Sequence, residues 1–174
     1  MALGQFGVPS TGFLIWHLSL RWQVQLTRAL APLGVTHTEY ALLAYLHGLS
    51  KSGPKPSQRE LADFSGLEPM HVSKLARRLE RAGLIQRLEN PSDPRAVQLS
   101  LTRRGAEVVT AARRIVRKLE EQRLAVLGGP SSPQGTQLKE ALSKLLRQAE
   151  ETRTADLASS ASRRVDAGRR DHDP

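Results

Sequence analysis

The segment from Pro56 to Arg104 constrains the fold most, because its apolar residues recur first at helical spacing and then at strand spacing. Ser57 and Glu60 have the separation of a capping box, which predicts a short helix that begins here and ends at Gly66. We expect its apolar side chains to face a core: Leu61, Ala62 and Phe64. A tight turn is expected after Gly66.

A second helix is predicted from Pro69, which suits a first helical turn, to Arg81, just before the terminating Gly83. One of its faces is an apolar stripe made of Val72, Leu75, Ala76, Leu79 and Ala82. The opposite face is polar and cationic, made of Met70, His71, Ser73, Lys74, Arg77, Arg78 and Arg81. We therefore expect this helix to pack along one face and to present cations on the other.

Two short strands are predicted next, at residues 84–88 and 97–101, and the second alternates strictly between apolar and polar side chains. Residues 90–95 join them and include two prolines, Asp93 and Arg95, which predicts a stiff, charged hairpin tip. The order of short helix, turn, second helix and hairpin is that of a winged helix-turn-helix.

Amphipathic helical patterns flank this segment on both sides, and alone they would expose apolar stripes, so we expect them to dimerise. Residues 153–174 contain few large apolar side chains, which predicts a disordered tail. The predicted fold class is mainly α, as one domain over residues 12–152. A flexible leader is expected at 1–11. Within the domain, residues 36–101 form a winged helix-turn-helix lobe with a small β-hairpin wing. Long N- and C-terminal dimerisation helices flank the lobe at 12–35 and 102–152.

The charge balance favours a polyanionic partner. Twenty-six Lys and Arg residues against 17 Asp and Glu residues give a formal net charge of +9. Between Lys55 and Arg104, ten basic residues oppose six acidic ones, which leaves a net charge of +4. This local excess is modest, so a solvated surface explains it as well as a binding face does, and the predicted geometry must decide.

Several classes of function are not expected. The chain has no cysteine, which excludes disulfides, thiolate metal sites and a cysteine nucleophile. Its five histidines are dispersed, and no phosphate-binding loop, nucleophile elbow or zinc-protease motif occurs, so we predict no enzyme, no catalytic residue, no metal and no cofactor. No apolar run is long enough to span a membrane, and no basic leader precedes residues 13–20, so we predict a cytoplasmic protein without a secretory signal.

The predicted geometry suits double-stranded DNA, because a helix fits the major groove and reads base edges near its N-terminus. Arg95 on the hairpin tip is placed to enter the adjacent minor groove, with Asp93 holding it in position. The candidate DNA contacts are Ser57, Gln58, Pro69, Met70, His71, Ser73, Lys74, Arg77, Arg78, Asp93 and Arg95. Arg78 has an alternative role, in which it pairs with neighbouring acidic side chains.

Four runs and one glycine closely resemble the MarR family of bacterial regulators: QRELA at 58–62, VSKL at 72–75, LERAGLI at 79–85, DPRAVQLSLT at 93–102, and Gly105. The match is most specific at the wing, where an Asp-x-Arg tip precedes an alternating strand, Leu-Thr and a glycine. The flanking helices agree with the family in pattern only.

The resemblance implies a homodimer in which the first and last helices of two chains intertwine and the two wings straddle a palindromic operator. It also implies repression, as the family's usual mode, and a small, often aromatic ligand bound between the dimer region and the DNA lobe. Five residues are candidates for that ligand site, although packing accounts for each of them as well: Trp16, His17, Trp22, His37 and Tyr40.

Two other functions remain open at this point. An architectural nucleic-acid protein would use the same basic face without sequence preference. A winged-helix protein-interaction module would have lost DNA binding altogether. The function predicted from the sequence is a sequence-specific regulator that binds a pseudo-palindromic operator as a homodimer.

Overall fold

The computed structural model describes residues 9–52, 55–90 and 93–170, and it describes side chains for 9–49, 55–90, 97–152, 154 and 155. The described chain forms two compact units, residues 1–119 and residues 120–174. The first unit contains the winged helix-turn-helix, and the second contains the last long helix.

The first unit begins with helix α1, Thr11–Leu30, which Ser10 caps by accepting a hydrogen bond from the Phe13 amide. A short 3-10 turn, Ala31–Leu33, ends at Gly34, and α2 follows over His37–Ser52. Thr36 and Glu39 form a capping box at its start: the Thr36 amide donates to Glu39 Oε2 over 2.8 Å, and the Glu39 amide donates to Thr36 Oγ1 over 3.3 Å.

Helices α3, Gln58–Ser65, and α4, Pro69–Arg81, form the helix-turn-helix. Gly66 ends α3 with a φ of 68°, a left-handed conformation that costs glycine least. Pro69 then occupies the first turn of α4, where its missing N–H is not needed. Both helices therefore begin and end where the sequence predicts.

The wing is an antiparallel hairpin of β1, Ile85–Asn90, and β2, Asp93–Leu101, in which Ile85 pairs with Leu101. The strands are longer than the sequence predicts, so Asp93 and Arg95 lie in β2 and not in a connecting loop. The pairing is irregular here, because Glu89 pairs with Val97 and the next residue, Asn90, pairs with Asp93. Pro94 therefore lies in the irregular part of the hairpin, where its missing N–H is tolerated. The Leu99 amide donates to the Pro56 carbonyl over 2.9 Å, which joins the wing to the start of the helix-turn-helix.

Helix α5, Arg103–Leu124, begins against this hairpin. Thr102 caps it by accepting a hydrogen bond from the Gly105 amide over 3.0 Å, and its hydroxyl also donates to the Gly83 carbonyl over 2.7 Å. Gly105 is buried, and a Cβ there would overlap the Leu84 carbonyl oxygen. Glycine therefore permits the close approach of α5 to the turn between α4 and β1.

One apolar core joins every helix of the first unit to the hairpin. The largest side chains in it, all less than 2% exposed, come from six elements and are Leu30, Leu42, Leu43, Leu46, Leu61, Leu79, Leu99, Val72 and Val109. The prediction that Phe64 faces the core is wrong, because its side chain is 58% exposed and packs edge-to-face on Tyr45. The helix turns Leu61 and Ala62 inward, and the next apolar position lies beyond the buried stripe.

The second unit contains helix α6, Pro133–Arg170, which follows a turn ordered by Ser132. The Ser132 hydroxyl donates to carbonyls of Leu127 and Gly129 and accepts from the Gly135 amide. The sequence predicts a helix to about Thr152 and a disordered tail, but α6 continues to Arg170. Residues 153–167 contain no glycine or proline, so local helix propensity favours the extension.

Apolar side chains remain exposed on α1 and on α6. On α1 they are Phe13, Leu14, Ile15, Trp16, Leu18, Leu20 and Val24, and on α6 they are Leu142, Leu145 and Leu146. Within the described ranges, no helix is long and apolar enough to cross a membrane.

Candidate nucleic-acid interface

The N-terminus of α3 is held by a complete capping box. The Ser57 amide donates to Glu60 Oε2 over 2.6 Å, and the Glu60 amide donates to Ser57 Oγ over 3.1 Å. The backbone amide of Ser57 lowers the pKa of the Glu60 carboxyl, because it stabilises the charged form. The first amides of a helix have no partner within the helix, so the start of α3 can donate to an anion such as a phosphate.

Helix α4 has the two faces that the sequence predicts, except that Ala82, expected in the apolar stripe, is the exposed C-cap residue. Val72, Ala76 and Leu79 are buried, whereas Met70, His71, Lys74 and the arginines of this helix are exposed. Met70 is 72% exposed at the first turn, although it is one of the larger apolar residues of the chain. The N-terminal turns of α4 thus present an apolar side chain, an imidazole and an ammonium group to solvent.

Two hydrogen bonds order the cationic side chains along α4. Arg77 Nη2 donates to Ser73 Oγ over 2.9 Å, one helical turn away. Arg81 Nε donates to the Arg77 carbonyl over 3.3 Å. The Arg77 guanidinium is thereby directed toward the N-terminal half of the helix, where a recognition helix contacts DNA.

A surface cleft of about 430 Å³ lies where α3, α4 and the wing meet. Its lining combines the start of α3, the start of α4 and one residue of β2: Ser57, Gln58, Arg59, Asp63, Pro69, Ser73 and Val97. Four of the candidate DNA contacts therefore share one concave surface. Arg59, Asp63 and Val97 are not predicted from the sequence as contacts, because nothing in their spacing distinguishes them from other surface residues.

Arg78 is directed differently from the other cations of α4. Its Nε lies 2.6 Å from Oε1 of Glu39, a residue of α2 that is 1% exposed. The alternative role predicted for Arg78 is an ion pair with neighbouring acidic side chains, and not with a residue of α2. Because 39 residues separate the partners, only the packing of α2 against α4 brings them together.

The MarR family model matches residues 35–97, which cover α2, the helix-turn-helix and most of the wing. The HTH-type transcriptional regulator YdcH of Bacillus subtilis is 41% identical over 119 residues, which are 67% of this chain and 81% of the relative. The chain belongs to the MarR family. The HTH-type transcriptional repressor Rv2887 of Mycobacterium tuberculosis is 31% identical over 134 residues, or 77% of this chain and 91% of the relative.

Solved structures of MarR-family proteins have the same fold. A complex of MepR from Staphylococcus aureus with DNA superposes with a TM-score of 0.71 at 25% identity, covering 82% of this chain and 99% of that one. A variant of Escherichia coli MarR with operator DNA gives a TM-score of 0.70 at 23% identity, covering 84% and 99%. These likenesses confirm the predicted mainly α, winged helix-turn-helix fold.

The two wing residues predicted to contact the minor groove, Asp93 and Arg95, belong to β2 of this MarR-family chain. Their side chains lie outside the described part of the structure. Their role in DNA contact therefore stays a prediction.

The five candidate ligand contacts lie in different surroundings. Trp16 and His17 lie near the start of α1 and pack ring against ring, at a centroid distance of 5.4 Å, beside Phe13. Trp22 and Tyr40 pack against the apolar core. Burial raises the pKa of Tyr40, and the charge of Arg113 partly opposes that shift.

His37 lies at the junction of α1 and α2. Its Nδ1 is 3.0 Å from Oγ1 of Thr27 on α1, and its Nε2 is 3.0 Å from Oγ1 of Thr38. Burial lowers the pKa of His37, because the charged imidazolium is less well solvated there. These contacts give His37 a structural role in joining the two helices, and its role in ligand binding stays a prediction.

Proposed function

We propose that this MarR-family protein is a repressor that binds a pseudo-palindromic DNA operator as a homodimer and is released by a small aromatic ligand. The observation that carries the DNA-binding part is the cleft at the meeting point of α3, α4 and the wing, with the exposed N-terminal turns of α4 beside it. A sugar-phosphate strand in this cleft would meet the amides that begin α3, while α4 enters the major groove.

The named relatives support this proposal. The MepR and MarR structures are complexes with DNA, and the mycobacterial relative is named a repressor. Direct readout would come from the side chains at the start of α4, which are Met70, His71, Ser73, Lys74 and Arg77. Met70 suits a thymine methyl group, and Lys74 and Arg77 suit guanine or phosphate.

The test is selection of bound duplexes from a random pool, followed by titration of the enriched duplex and of poly(dI-dC) at the same salt concentration. We expect a pseudo-palindrome with half-sites about 34 Å apart, bound at least about 1,000-fold more tightly than poly(dI-dC). Equal affinity for both duplexes would favour an architectural protein instead. Absence of binding to either would favour a protein-interaction module.

We also propose that the wing contacts the minor groove through Arg95, held by Asp93. The charge of a guanidinium is favoured in a narrow minor groove, where the negative potential is high. Arg95→Ala should weaken binding of the selected duplex about 10-fold or more while the melting temperature stays within about 2 °C of the parent. Unchanged affinity would overturn the minor-groove assignment.

We propose that the effector binds beside the aromatic residues on α1 and at the start of α2. The Phe13 and His17 rings are stacked and Trp16 packs at a tilt against both, which forms a surface that another aromatic ring can join. The chain has two tryptophans, Trp16 and Trp22, so ligand binding near them should quench intrinsic fluorescence. Small aromatic acids and phenols should be screened for quenching and for release of the selected duplex, and quenching without release would contradict the proposed role.

A further inference from the structure

Glu39 is a buried carboxylate with partners on two sides. Its side chain is 1% exposed, and Oε2 accepts hydrogen bonds from the amide of Thr36 over 2.8 Å and from its hydroxyl over 2.9 Å. The other oxygen, Oε1, lies 2.6 Å from Nε of Arg78 on α4. One side chain therefore caps α2 and holds the helix that carries the candidate DNA contacts.

Capping alone does not require burial. The capping box of Ser57 and Glu60 in the same chain has the same arrangement, and Glu60 is exposed. Burying a carboxylate is costly unless a cation and hydrogen bonds compensate for lost hydration. Arg78 supplies the cation and Thr36 supplies the hydrogen bonds. The Arg78 side chain is 60% exposed, so the ion pair holds a surface cation against a buried carboxylate.

The buried carboxylate is itself held in place. Glu39 lies in the first turn of α2, and His37 in the same turn contacts Thr27 of α1 through Nδ1 and through its backbone amide. Leu42 and Leu43, one turn further along α2, are fully buried in the core. The carboxylate is thus attached to a rigid part of the lobe, and Arg78 is attached to the carboxylate.

The position of Arg78 makes this attachment effective. It lies nine residues from Pro69, so the reading end of α4 is about 13 Å away along the helix axis. A tilt of about 10° around Arg78 would move that end by about 2 Å, whereas base contacts tolerate displacements of only about 0.5 Å. A constraint at Arg78 therefore controls whether the start of α4 meets the bases.

We propose that Glu39 is a positioning residue for DNA recognition, and that Arg78 acts through Glu39 and not through contact with bases. This inference rests on the proposed DNA-binding function. The pair fixes the tilt of α4, so its loss should reduce sequence-specific binding and leave the electrostatic attraction to any duplex.

The first test is Glu39→Gln, which retains the shape of the side chain and an acceptor for the Thr36 amide but loses the charge that pairs with Arg78. Affinities for the selected duplex and for poly(dI-dC) are measured at one salt concentration, at least 15 °C below the melting temperature of each variant. We expect about a 10-fold loss on the selected duplex and less than a 2-fold change on poly(dI-dC). A lower melting temperature with an unchanged affinity ratio would show a merely structural role and overturn the proposal.

The matched control is Glu107→Gln. Glu107 is also an acidic partner of an arginine, at 3.2 Å from Arg103, but both side chains are exposed and lie on α5. This variant removes the same charge and should leave the affinity ratio unchanged. An equal loss of ratio in both variants would show a general charge effect and overturn the assignment to Glu39.

The second test uses Arg78→Gln, alone and combined with Glu39→Gln. The single variant Arg78→Gln tests the positioning role even if Glu39→Gln fails to fold. If Arg78 acts through Glu39, the affinity ratio falls and the slope of log K against log salt concentration stays the same. The affinity ratio of the double variant should then fall no further than that of the more strongly affected single variant. A direct phosphate contact would instead reduce the slope by about one and weaken both duplexes equally, which would overturn the proposal.

A wild-type protein without preference for any duplex would mean that the proposed function is wrong, whatever the variants do. A wild-type preference that Glu39→Gln and Arg78→Gln leave intact would mean that only the positioning role is wrong. The two failures are therefore distinguishable in the same titrations.

Discussion

Gly105 lies where α5 passes against the turn that leads into β1. Its amide donates to Thr102 Oγ1, and its Cα faces the backbone of Leu84. A methyl group there would overlap the Leu84 carbonyl oxygen and press on Leu101, at 3.1 Å. Because backbone atoms cannot give way as a flexible side chain does, the start of α5 would have to shift.

We therefore expect Gly105→Ala to lower the free energy of unfolding by about 2 kcal/mol or more, as overpacking does in well-packed cores. Urea denaturation followed by circular dichroism measures this change. Gly48→Ala is the matched control, because Gly48 lies in α2 with nothing within 4 Å of the added methyl group. The control should gain up to about 1 kcal/mol from helix propensity, and an equal loss in both variants would contradict the steric explanation.

Glu60, at the start of α3, makes a pH-dependent contribution to the stability of the folded protein. Its pKa in the folded state is lowered from the ordinary 4.5 by the Ser57 amide, so the folded protein holds the charged form more strongly than the unfolded chain does. That stabilisation is complete above pH 4.5 and disappears as the pH falls through the lower folded value. Glutamine can accept the same hydrogen bond without the charge.

Glu60→Gln should therefore lower the melting temperature at pH 7, by an amount that shrinks as the pH falls below 4.5. Thermal denaturation of both proteins across this range checks the sign. Glu150→Gln removes an exposed carboxylate on α6 and is the control for the loss of one negative charge. A difference that stays constant down to pH 2.5 would contradict the charge-based explanation.

At the scale of the element, α4 separates the two tasks of a recognition helix. Its apolar stripe enters the core of the lobe, and its first turns remain open to a ligand. Met70, His71 and Lys74 are exposed because they lie on the face opposite the buried stripe. The proposed readout depends on side chains that make almost no contribution to folding, so they can be substituted without loss of the lobe.

Lys74→Ala should weaken binding to the selected duplex and reduce the slope of log K against log salt concentration by about one, because one phosphate or base contact with released counterions is lost. Fluorescence anisotropy between about 50 and 200 mM salt measures the slope. Lys144→Ala on α6 is the control, as another exposed lysine on a helix. Equal slopes for Lys74→Ala and the parent would place Lys74 away from DNA.

The ends of most elements follow from the sequence, since caps and breakers act locally. Ser57 with Glu60, Gly66 and Pro69 each function at the positions where their chemistry predicts. The wing strands and α6 extend further than predicted. Their extra length depends on backbone pairing across the hairpin and on weak helix propensity, neither of which leaves a strong residue pattern.

At the scale of the whole molecule, the exposed apolar side chains of α1 and α6 require explanation. Scattered exposed leucines are common, but α1 exposes seven large apolar side chains within 12 residues. Trp16 is 57% exposed. The proposed homodimer would remove the leucines of this surface from water, leave the Phe13 and Trp16 rings open to the proposed ligand, and set the distance between two copies of α4.

We expect Leu18→Glu to shift the protein from dimer to monomer in sedimentation equilibrium and to reduce operator affinity about 100-fold or more, because one lobe alone makes half of the contacts. Ser19→Glu introduces the same charge at the next residue of α1 and is the control. A dimer that persists in Leu18→Glu, or one that dissociates equally in both variants, would contradict the proposed use of this face.

The sequence by itself determined the order of elements, the two faces of α4 and the membership of the MarR family, because capping, hydrophobic period and the wing motif are local properties of the chain. Tertiary structure alone decided where Arg78 points, that Glu39 is buried, that Phe64 is exposed and that Gly105 has no room for a side chain. Each of these depends on which distant segment lies opposite. Residues 39 apart leave no periodic signal when their contact is made only by the packing of α2 against α4.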